Sequence, residues 1–282
     1  MRLASYEVAG RASYGVVVDA GVVDLGRRLG ARYPDLRALL AGDALDEARR
    51  AVAGAAPDHA LDELRLLPVI PNPDKIICVG LNYEEHRVEA GREKTENPTL
   101  FARFAGSQVG AGAPMLRPRE SLQFDYEAEI AVIIGKPGRR ITSAAAWEHI
   151  AGYSCYNDGS VRDWQRHTSQ WTAGKNFPAT GAFGPWMVTA DEIPANSLMT
   201  LTARLNGREL QRATTEHMIF KIPALIQYIS SFTELLPGDV IVSGTPGGVG
   251  SRRDPPLWMQ PGDVVEIEID RVGVLRNTIA DD

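Results

Sequence analysis

Short apolar runs separated by turn-forming residues dominate the hydrophobic pattern of the chain. The runs "YGVVVDAGVVDL", "KIICVG", "DVIVSG" and "DVVEIEIDRVGVLRNTI" are rich in β-branched residues, which is typical of β-strands. The segment "LTARLNGREL" predicts a hairpin, because an Asn-Gly step favours a tight turn between strands. The 27 glycines and 18 prolines punctuate these runs. The pattern therefore predicts a turn-rich, largely β protein.

Helical spacing is confined to four stretches. They are "PDLRALLAGDALDEARRAVAGA", "YEEHRVEAG", "SAAAWEHI" and "KIPALIQYISSF". Three prolines between residues 68 and 73 follow the first of them, and a domain boundary is predicted near residue 70. The chain is thus divided into a small N-terminal α/β domain, residues 1–70, and a larger domain, residues 71–282.

The predicted strand "SLQFDYEAEIAVIIG", residues 121–135, raises an electrostatic problem. Side chains alternate along a strand, so Asp125, Glu127 and Glu129 share one face, about 7 Å apart. Like charges repel, and burial beside "IAVII" strengthens the repulsion, so a positive group is expected nearby. Either the face is a solvated strand edge, or the carboxylates bind a divalent cation such as Mg²⁺.

A third carboxylate lies in "CYNDGSVRDWQ". Asp158 occupies an Asn-Asp-Gly turn, where aspartate is also common for backbone reasons. Arg162 and Gln165 follow on the same face if a helix begins here. These side chains form either a salt-bridged surface or a metal ligand followed by two groups for an anionic substrate.

Three further motifs contain residues capable of catalysis. Lys175 in "WTAGKNF" either extends to solvent or, if desolvated, stabilises negative charge on an oxygen. His86 and Glu89 are neighbours on a predicted helix. They form either a simple surface contact or a general base with the carboxylate that orients it. "SGTPGGVG" supplies Thr245 but has no lysine at the P-loop position, so a P-loop is rejected.

Composition narrows the functional classes. A net charge of −6 without a basic stripe argues against a nucleic-acid partner. There is no uncharged apolar run of about 18 residues, which argues against a membrane span. The start of the chain has no apolar segment followed by a cleavage site. Cys78 and Cys155 have apolar neighbours, as reduced core thiols do, and a cytoplasmic location is expected.

In combination, these segments resemble the fumarylacetoacetate hydrolase family, in its acylpyruvate hydrolase and 2-hydroxyhepta-2,4-diene-1,7-dioate isomerase branch. The resemblance rests on "GLNYEEH", "DYEAE", "NDGSVRDWQ", "GKNF", "GDVIVSGTPGGVG" and "PGDVVEIEIDRVGVLRNT", in this order. It implies an α+β, predominantly β fold, which is a mixed β-roll or β-sandwich with flanking helices and a small N-terminal domain. It also implies a Mg²⁺ or Mn²⁺ cofactor and a homodimer.

The resemblance assigns a role to each matching residue. The implied metal ligands are Glu127, Glu129 and Asp158, the implied catalytic residues are His86, Glu89 and Lys175, and the implied substrate-binding residues are Arg162, Gln165, Thr245 and Tyr83.

The implied substrate is a small 2-oxo acid that reacts through a metal-stabilised enolate. Hydrolysis of the C–C bond of a 2,4-dioxo acid, such as an acylpyruvate in aromatic catabolism, is the first prediction. His86, oriented by Glu89, is then the base for water. The same site also suits a 2-hydroxydienedioate isomerase or an oxaloacetate-type decarboxylase. A metal-binding or ligand-sensing domain without activity is disfavoured, because the set of polar residues is complete.

Overall fold

The structure is a computed structural model that describes residues 1–282. The strands are β1 Arg2–Val8, β2 Arg11–Val18, β3 Gly21–Asp24, β4 His59–Ala60, β5 Arg65–Leu66, β6 Ile76–Gly80, β7 Thr99–Arg103, β8 Gln108–Val109, β9 Met115–Arg117, β10 Phe124–Asp125, β11 Ala128–Ile134, β12 Ile150–Asn157, β13 Ser160–Val161, β14 Gly181–Thr189, β15 Thr200–Leu205, β16 Arg208–Thr214, β17 Val240–Val242, β18 Val264–Ile269 and β19 Gly273–Asp281. The α-helices are α1 Leu25–Leu29, α2 Leu36–Ala41, α3 Leu45–Val52, α4 Glu84–Glu89, α5 Arg162–Gln165, α6 Thr172–Lys175 and α7 Ile222–Phe232.

Two large sheets form the body of the molecule. The first has twelve strands, ten of them in the order β4-β3-β2-β1-β14-β12-β11-β17-β6-β7, with β5 on β1 and β8 on β14. The second has five strands in the order β16-β15-β18-β19-β9. The β10 and β13 strands form a separate pair. This α+β, predominantly β architecture confirms the predicted fold class.

Strand β11 lies near the middle of the large sheet and is buried along its whole length. Its alternate residues face two cores. Ile130 and Val132 belong to a cluster that contains residues of the second sheet, whereas Ala131 and Ile133 belong to the other large cluster. Burial on both faces explains the uninterrupted apolar run of this strand. Glu129 projects on the same side as Ala131 and Ile133, because side chains alternate along a strand.

Residues 1–70 share both the sheet and a core with the rest of the chain. Strand β1 pairs with β14 through Arg2 opposite Val188 and Leu3 opposite Met187. Leu3 also belongs to the same apolar cluster as Ile133. The sheet is continuous across the boundary near residue 70, and the division into domains 1–70 and 71–282 stays a prediction.

Several predicted elements differ in their extent. The helical stretch that begins at Leu36 is interrupted between Ala41 and Leu45, where Asp43 adopts a positive φ of 50°. "SAAAWEHI" forms only a short 3₁₀ helix, Ala146–His149. The strand predicted over residues 121–135 is divided into β10 and β11, because residues 126 and 127 leave the ladder.

Two predictions about side chains and membranes can be compared with the structure directly. Cys78 and Cys155 are both buried free thiols, as expected. None of the helices combines the length and the apolar character that crossing a membrane requires.

A buried carboxylate cluster with its cations

The three predicted metal ligands meet where β11 and β12 run side by side. Asp158 follows the end of β12, and its backbone N–H donates to the Glu127 carbonyl at 3.0 Å, which extends the antiparallel ladder. Glu129 is two residues beyond Glu127, so the carboxylates lie on one side of the strand. One oxygen from each lies within 4.8 Å of the others, and all three residues are buried. The alternative of a solvated strand edge is therefore wrong.

Two of these three carboxylates are paired with buried cations. Lys175, at the end of α6, is 1 % exposed, and its Nζ lies 2.7 Å from Glu127 Oε2 and 2.6 Å from Asp158 Oδ2. Arg103, at the end of β7, donates from Nη1 to Asp158 Oδ1 at 2.5 Å, with both side chains fully buried. The expectation of positive charge beside the strand is correct, and the alternative of Lys175 extending to solvent is wrong.

Arg162 has a different partner from the one its spacing suggests. The helix α5 begins at Arg162 rather than at Asp158, and the guanidinium turns toward the preceding strand. Its Nε donates to Asp125 Oδ2 at 2.7 Å, and its Nη2 lies 2.6 Å from Glu127 Oε1. It also donates to Gln165 Oε1 at 2.9 Å. Arg162 therefore links Asp125 and Glu127, which accounts for two of the three acidic residues on this strand.

Glu129 is the carboxylate without a cation. It forms none of the ion pairs of the cluster, and its recorded hydrogen bond comes from the Gly244 N–H, 2.5 Å from Oε2. Burial, and then the neighbouring Asp158 and Glu127, raise the pKa of Glu129 well above its ordinary value. A buried unpaired carboxylate beside two others fits a divalent cation, because hard cations bind carboxylate oxygens and offset their repulsion. The residues present can thus hold a metal ion.

A conformation that favours glycine brings the Gly244 N–H to Glu129. Gly244 has a φ of +100°, a region that L side chains rarely adopt, and a Cβ there would lie 2.6 Å from the Asn82 Cβ. The next residue, Thr245, accepts a hydrogen bond from Gln211 Nε2 at 2.9 Å, while Gln211 Oε1 accepts from the Ala128 N–H at 3.0 Å. Gln211 therefore ties the glycine-rich loop to β11.

His86 and Glu89 form the predicted pair on α4. His86 Nδ1 lies 2.8 Å from Glu89 Oε1, and Glu89 Oε2 accepts from the Gly248 N–H at 3.0 Å. Burial opposes ionisation of Glu89, but hydrogen bonds from His86 and Gly248 hold its pKa below the ordinary value. An ionised Glu89 accepts a hydrogen bond from the Nδ1–H group, which leaves the lone pair on His86 Nε2 available as a base.

These groups border one cavity of about 670 Å³. Its lining includes most of the predicted site residues: His86, Glu127, Glu129, Arg162, Gln165, Lys175 and Thr245. Asp158 lies behind them, fully buried. Phe101 and Trp171 supply an apolar wall, and Lys175 Nζ lies 4.9 Å from the centroid of the Phe101 ring. A candidate base, the Lys175 ammonium and the carboxylate cluster therefore face the same cavity.

Tyr83 is not among the residues that line this cavity. The side chain is 1 % exposed within the main apolar core, and its hydroxyl has no hydrogen-bond partner. Burial, and then Glu129, raise the pKa of Tyr83. Tyr83 thus lies in the core directly before α4, and its role in substrate binding stays a prediction.

Sequence reasoning missed three residues that fix the site, namely Arg103, Asp125 as an acceptor, and Gln211. Asp125 accepts the N–H groups of Gly250 and Ser251 at 2.8 and 2.9 Å, in addition to the Arg162 bond. Its place in the acidic strand was a signal, but a loop acceptor and a metal ligand look alike in a sequence. No local sequence pattern pointed to Arg103 or Gln211, because their partners are 55 and 34 residues away.

Comparison with known proteins places this site in a family. The family model described as "Fumarylacetoacetate (FAA) hydrolase C-terminal" matches residues 75–280. The chain belongs to this fumarylacetoacetate hydrolase family, which confirms the resemblance stated from the sequence.

Individual relatives carry out different reactions. The rat mitochondrial oxaloacetate tautomerase Fahd2a is 40 % identical over 237 residues, covering 84 % of this chain and 76 % of the rat protein. The maleylpyruvate hydrolase of Sphingobium sp. SYK-6, solved with manganese(II) and pyruvate, has a TM-score of 0.83 and 27 % identity, covering 100 % and 99 % of the two chains.

A 2-hydroxyhepta-2,4-diene-1,7-dioate isomerase from Mycobacterium marinum is a third similar protein. Its structure has a TM-score of 0.76 and 27 % identity, covering 100 % of this chain and 99 % of the isomerase. The similar proteins are thus enzymes of tautomerase, hydrolase and isomerase type, and this chain is similar to all three.

Proposed function

We propose that the chain is a Mg²⁺- or Mn²⁺-dependent tautomerase that interconverts the keto and enol forms of a 2-oxo acid of the oxaloacetate type. The observation that carries the proposal is the His86–Glu89 pair on the same cavity as the carboxylate cluster. The C–C hydrolysis predicted first needs a placed water molecule as well as a base, whereas enolisation needs no water nucleophile. Tautomerases are also the more similar relatives by sequence identity.

The proposed cation is held by Glu127, Glu129 and Asp158. When bound, it supplies positive charge that favours the enolate form of a 2-oxo acid. The other steps belong to side chains. His86 Nε2 removes a proton from C3, and the electron pair of that C–H bond becomes the C2–C3 double bond as the C2 oxygen gains negative charge. A proton from solvent water on that oxygen gives the enol, and His86 returns the proton it removed to solvent.

The cationic and amide groups beside the cluster serve binding and charge stabilisation in this proposal. Lys175 lines the cavity and places an ammonium close to the developing oxygen charge. Its pKa is raised, since Asp158 and Glu127 outweigh the opposing effect of burial, so the ammonium stays charged. Gln165 lines the same space and has a side-chain N–H₂ group to donate, because its oxygen accepts from Arg162.

Replacing His86 by alanine is expected to lower kcat for oxaloacetate tautomerisation by about 100-fold, because general base catalysis contributes roughly 10²–10⁴. The measurement follows the ultraviolet absorbance of the enol in the presence of Mn²⁺. His217→Ala is the matched control, since His217 is exposed and outside the cavity, and it keeps the wild-type rate. Full activity in His86→Ala would show that another group is the base.

Hydrolysis of a 2,4-dioxo acid is the second candidate function. The cavity of about 670 Å³ favours it, because a four-carbon acid leaves much of that volume free for a longer substrate and for water. The two candidates separate when acetylpyruvate is incubated with the metal-loaded protein. Hydrolysis gives pyruvate and acetate, whereas tautomerisation leaves the carbon skeleton intact.

Assembly and location are also proposals. A homodimer is proposed from family membership, and sedimentation equilibrium of the full chain measures it. The cytoplasmic location expected from the sequence contrasts with the word "mitochondrial" in the name of the rat relative.

A further inference from the structure

Three arginines from separate segments surround the mouth of the cavity. Arg92 follows α4, Arg166 directly follows α5, and Arg252 ends a 3₁₀ turn over Gly250–Arg252. All three are exposed. They are thus separate from Arg103 and Arg162, whose guanidinium groups are buried on carboxylates below.

These arginines have no acidic partners. None of the three forms an ion pair, and the only recorded side-chain bond among them runs from Arg252 Nη2 to the Ala90 carbonyl at 3.4 Å. Glu93 is the one carboxylate among the exposed residues of the cavity lining, and it pairs with none of them. Three cations therefore lie at the opening without an ion pair, and Glu93 is the one exposed acid in the lining.

Like charges also act on one another at this opening. Burial, and then the positive charges of Arg162 and Arg252, lower the pKa of Arg166, and the opposing effect of Asp125 and Asp163 is smaller. Two guanidinium groups that line one cavity favour an anion between them, since a carboxylate offers each one paired acceptors. Ser169 and Ser251 also line the cavity, and their hydroxyl groups can donate hydrogen bonds to an anion there.

We propose that Arg166 and Arg252, assisted by Arg92, form a binding site for a second carboxylate, at the end of the substrate away from its 2-oxo acid group. This inference rests on the proposed function, because it assumes that the 2-oxo acid end occupies the carboxylate cluster. It adds to the proposed oxaloacetate-type substrate the residues that hold its second carboxylate. It also gives the two arginines a role in specificity that is distinct from the chemistry at His86.

The test compares two ligands of equal carbon number that differ at the distal end. 2-Oxoglutarate carries a second carboxylate there, whereas 2-oxopentanoate ends in a methyl group. Calorimetry on the Mn²⁺-loaded protein is expected to give at least about tenfold tighter binding of 2-oxoglutarate, which is about 1.4 kcal/mol. The preference is expected to decrease with added salt, because the arginines are exposed.

The double variant Arg166→Gln/Arg252→Gln removes both charges and keeps side chains that can donate hydrogen bonds. Its affinity for 2-oxoglutarate is expected to fall about tenfold, while that for 2-oxopentanoate changes by less than about twofold. Arg208→Gln is the matched control, since Arg208 is exposed, has no ion pair and lies outside the cavity. Mn²⁺ affinity, measured without an organic acid, reports whether the double variant keeps its fold.

The outcomes separate this inference from the proposed reaction. Equal wild-type affinity for the two acids, or an equal loss of both in the double variant, overturns the second carboxylate site. A wild-type protein that prefers 2-oxoglutarate, loses this preference in the double variant and yet fails to tautomerise oxaloacetate supports the site and overturns the reaction.

Discussion

Replacing Arg103 with methionine is expected to lower the free energy of unfolding by about 3–5 kcal/mol. The guanidinium donates to Asp158 Oδ1, to the Gly159 carbonyl and to Thr180 Oγ1, at 2.5, 3.0 and 2.8 Å. Methionine preserves much of the apolar volume but leaves Asp158 fully buried with only Lys175 to balance its charge. The loss is measured by urea denaturation in the presence of chelator.

Arg204→Met is the matched control for this prediction. Arg204 Nη1 lies 2.6 Å from Glu268 Oε2, almost the same separation as in the Arg103 pair, but the two side chains are 27 % and 41 % exposed. An exposed pair of this kind contributes about 0–1 kcal/mol, because water already solvates both charges. Similar losses for Arg103→Met and Arg204→Met would show that burial does not determine the strength of the Asp158 contact.

Local sequence was sufficient for those parts of the site that depend on strand or helix spacing. Glu127 and Glu129 had to share a face once the segment was a strand, and His86 had to meet Glu89 once α4 formed. In both cases, the backbone geometry of one element determines the contact. The same reasoning predicted the β15–β16 hairpin from its Asn-Gly turn.

Local sequence was insufficient where several distant segments compete for one side chain. Arg162 was expected to act with Asp158, but Asp125 and Glu127 are its partners because α5 starts at Arg162. Lys175 had two possible environments, and only the packing of α6 against the sheet decided between them. The position of Arg166 and Arg252 at the cavity could not be predicted from the sequence, because separate loops bring them together.

Replacing Glu129 with glutamine is expected to stabilise the metal-free protein and to remove its response to Mn²⁺. Glutamine can still accept the Gly244 N–H but carries no charge to repel Asp158 and Glu127. In chelator near neutral pH, its free energy of unfolding is expected to exceed that of wild type by about 1–3 kcal/mol. Added Mn²⁺ at 100 times the dissociation constant stabilises wild type by about 2.7 kcal/mol.

The dependence of this effect on pH has a definite sign. Glu129 has a raised pKa in the folded protein, so above its ordinary value of 4.5 the folded state binds more protons than the unfolded state. The stability of metal-free wild type attributable to this group therefore falls as the pH rises from 4.5 toward the raised pKa. The advantage of Glu129→Gln should accordingly grow across this window and be small at its acidic end.

Glu148→Gln is the control for removing a carboxylate. The Glu148 side chain is 71 % exposed, and its ion pair with Lys136, at 3.8 Å, lies on the surface. This variant should change stability by less than about 0.5 kcal/mol and leave the response to Mn²⁺ intact.

For Glu129→Gln, the Mn²⁺ affinity should fall by more than about 100-fold, the upper end of what loss of an outer partner costs. A variant that is less stable than wild type in chelator would mean that Glu129 is not the repelled group, and a variant that Mn²⁺ still stabilises equally would mean that Glu129 is not a ligand. The buried cluster would then be a structural ion-pair network, and the base at His86 would have to act on a substrate held only by Lys175 and the arginines.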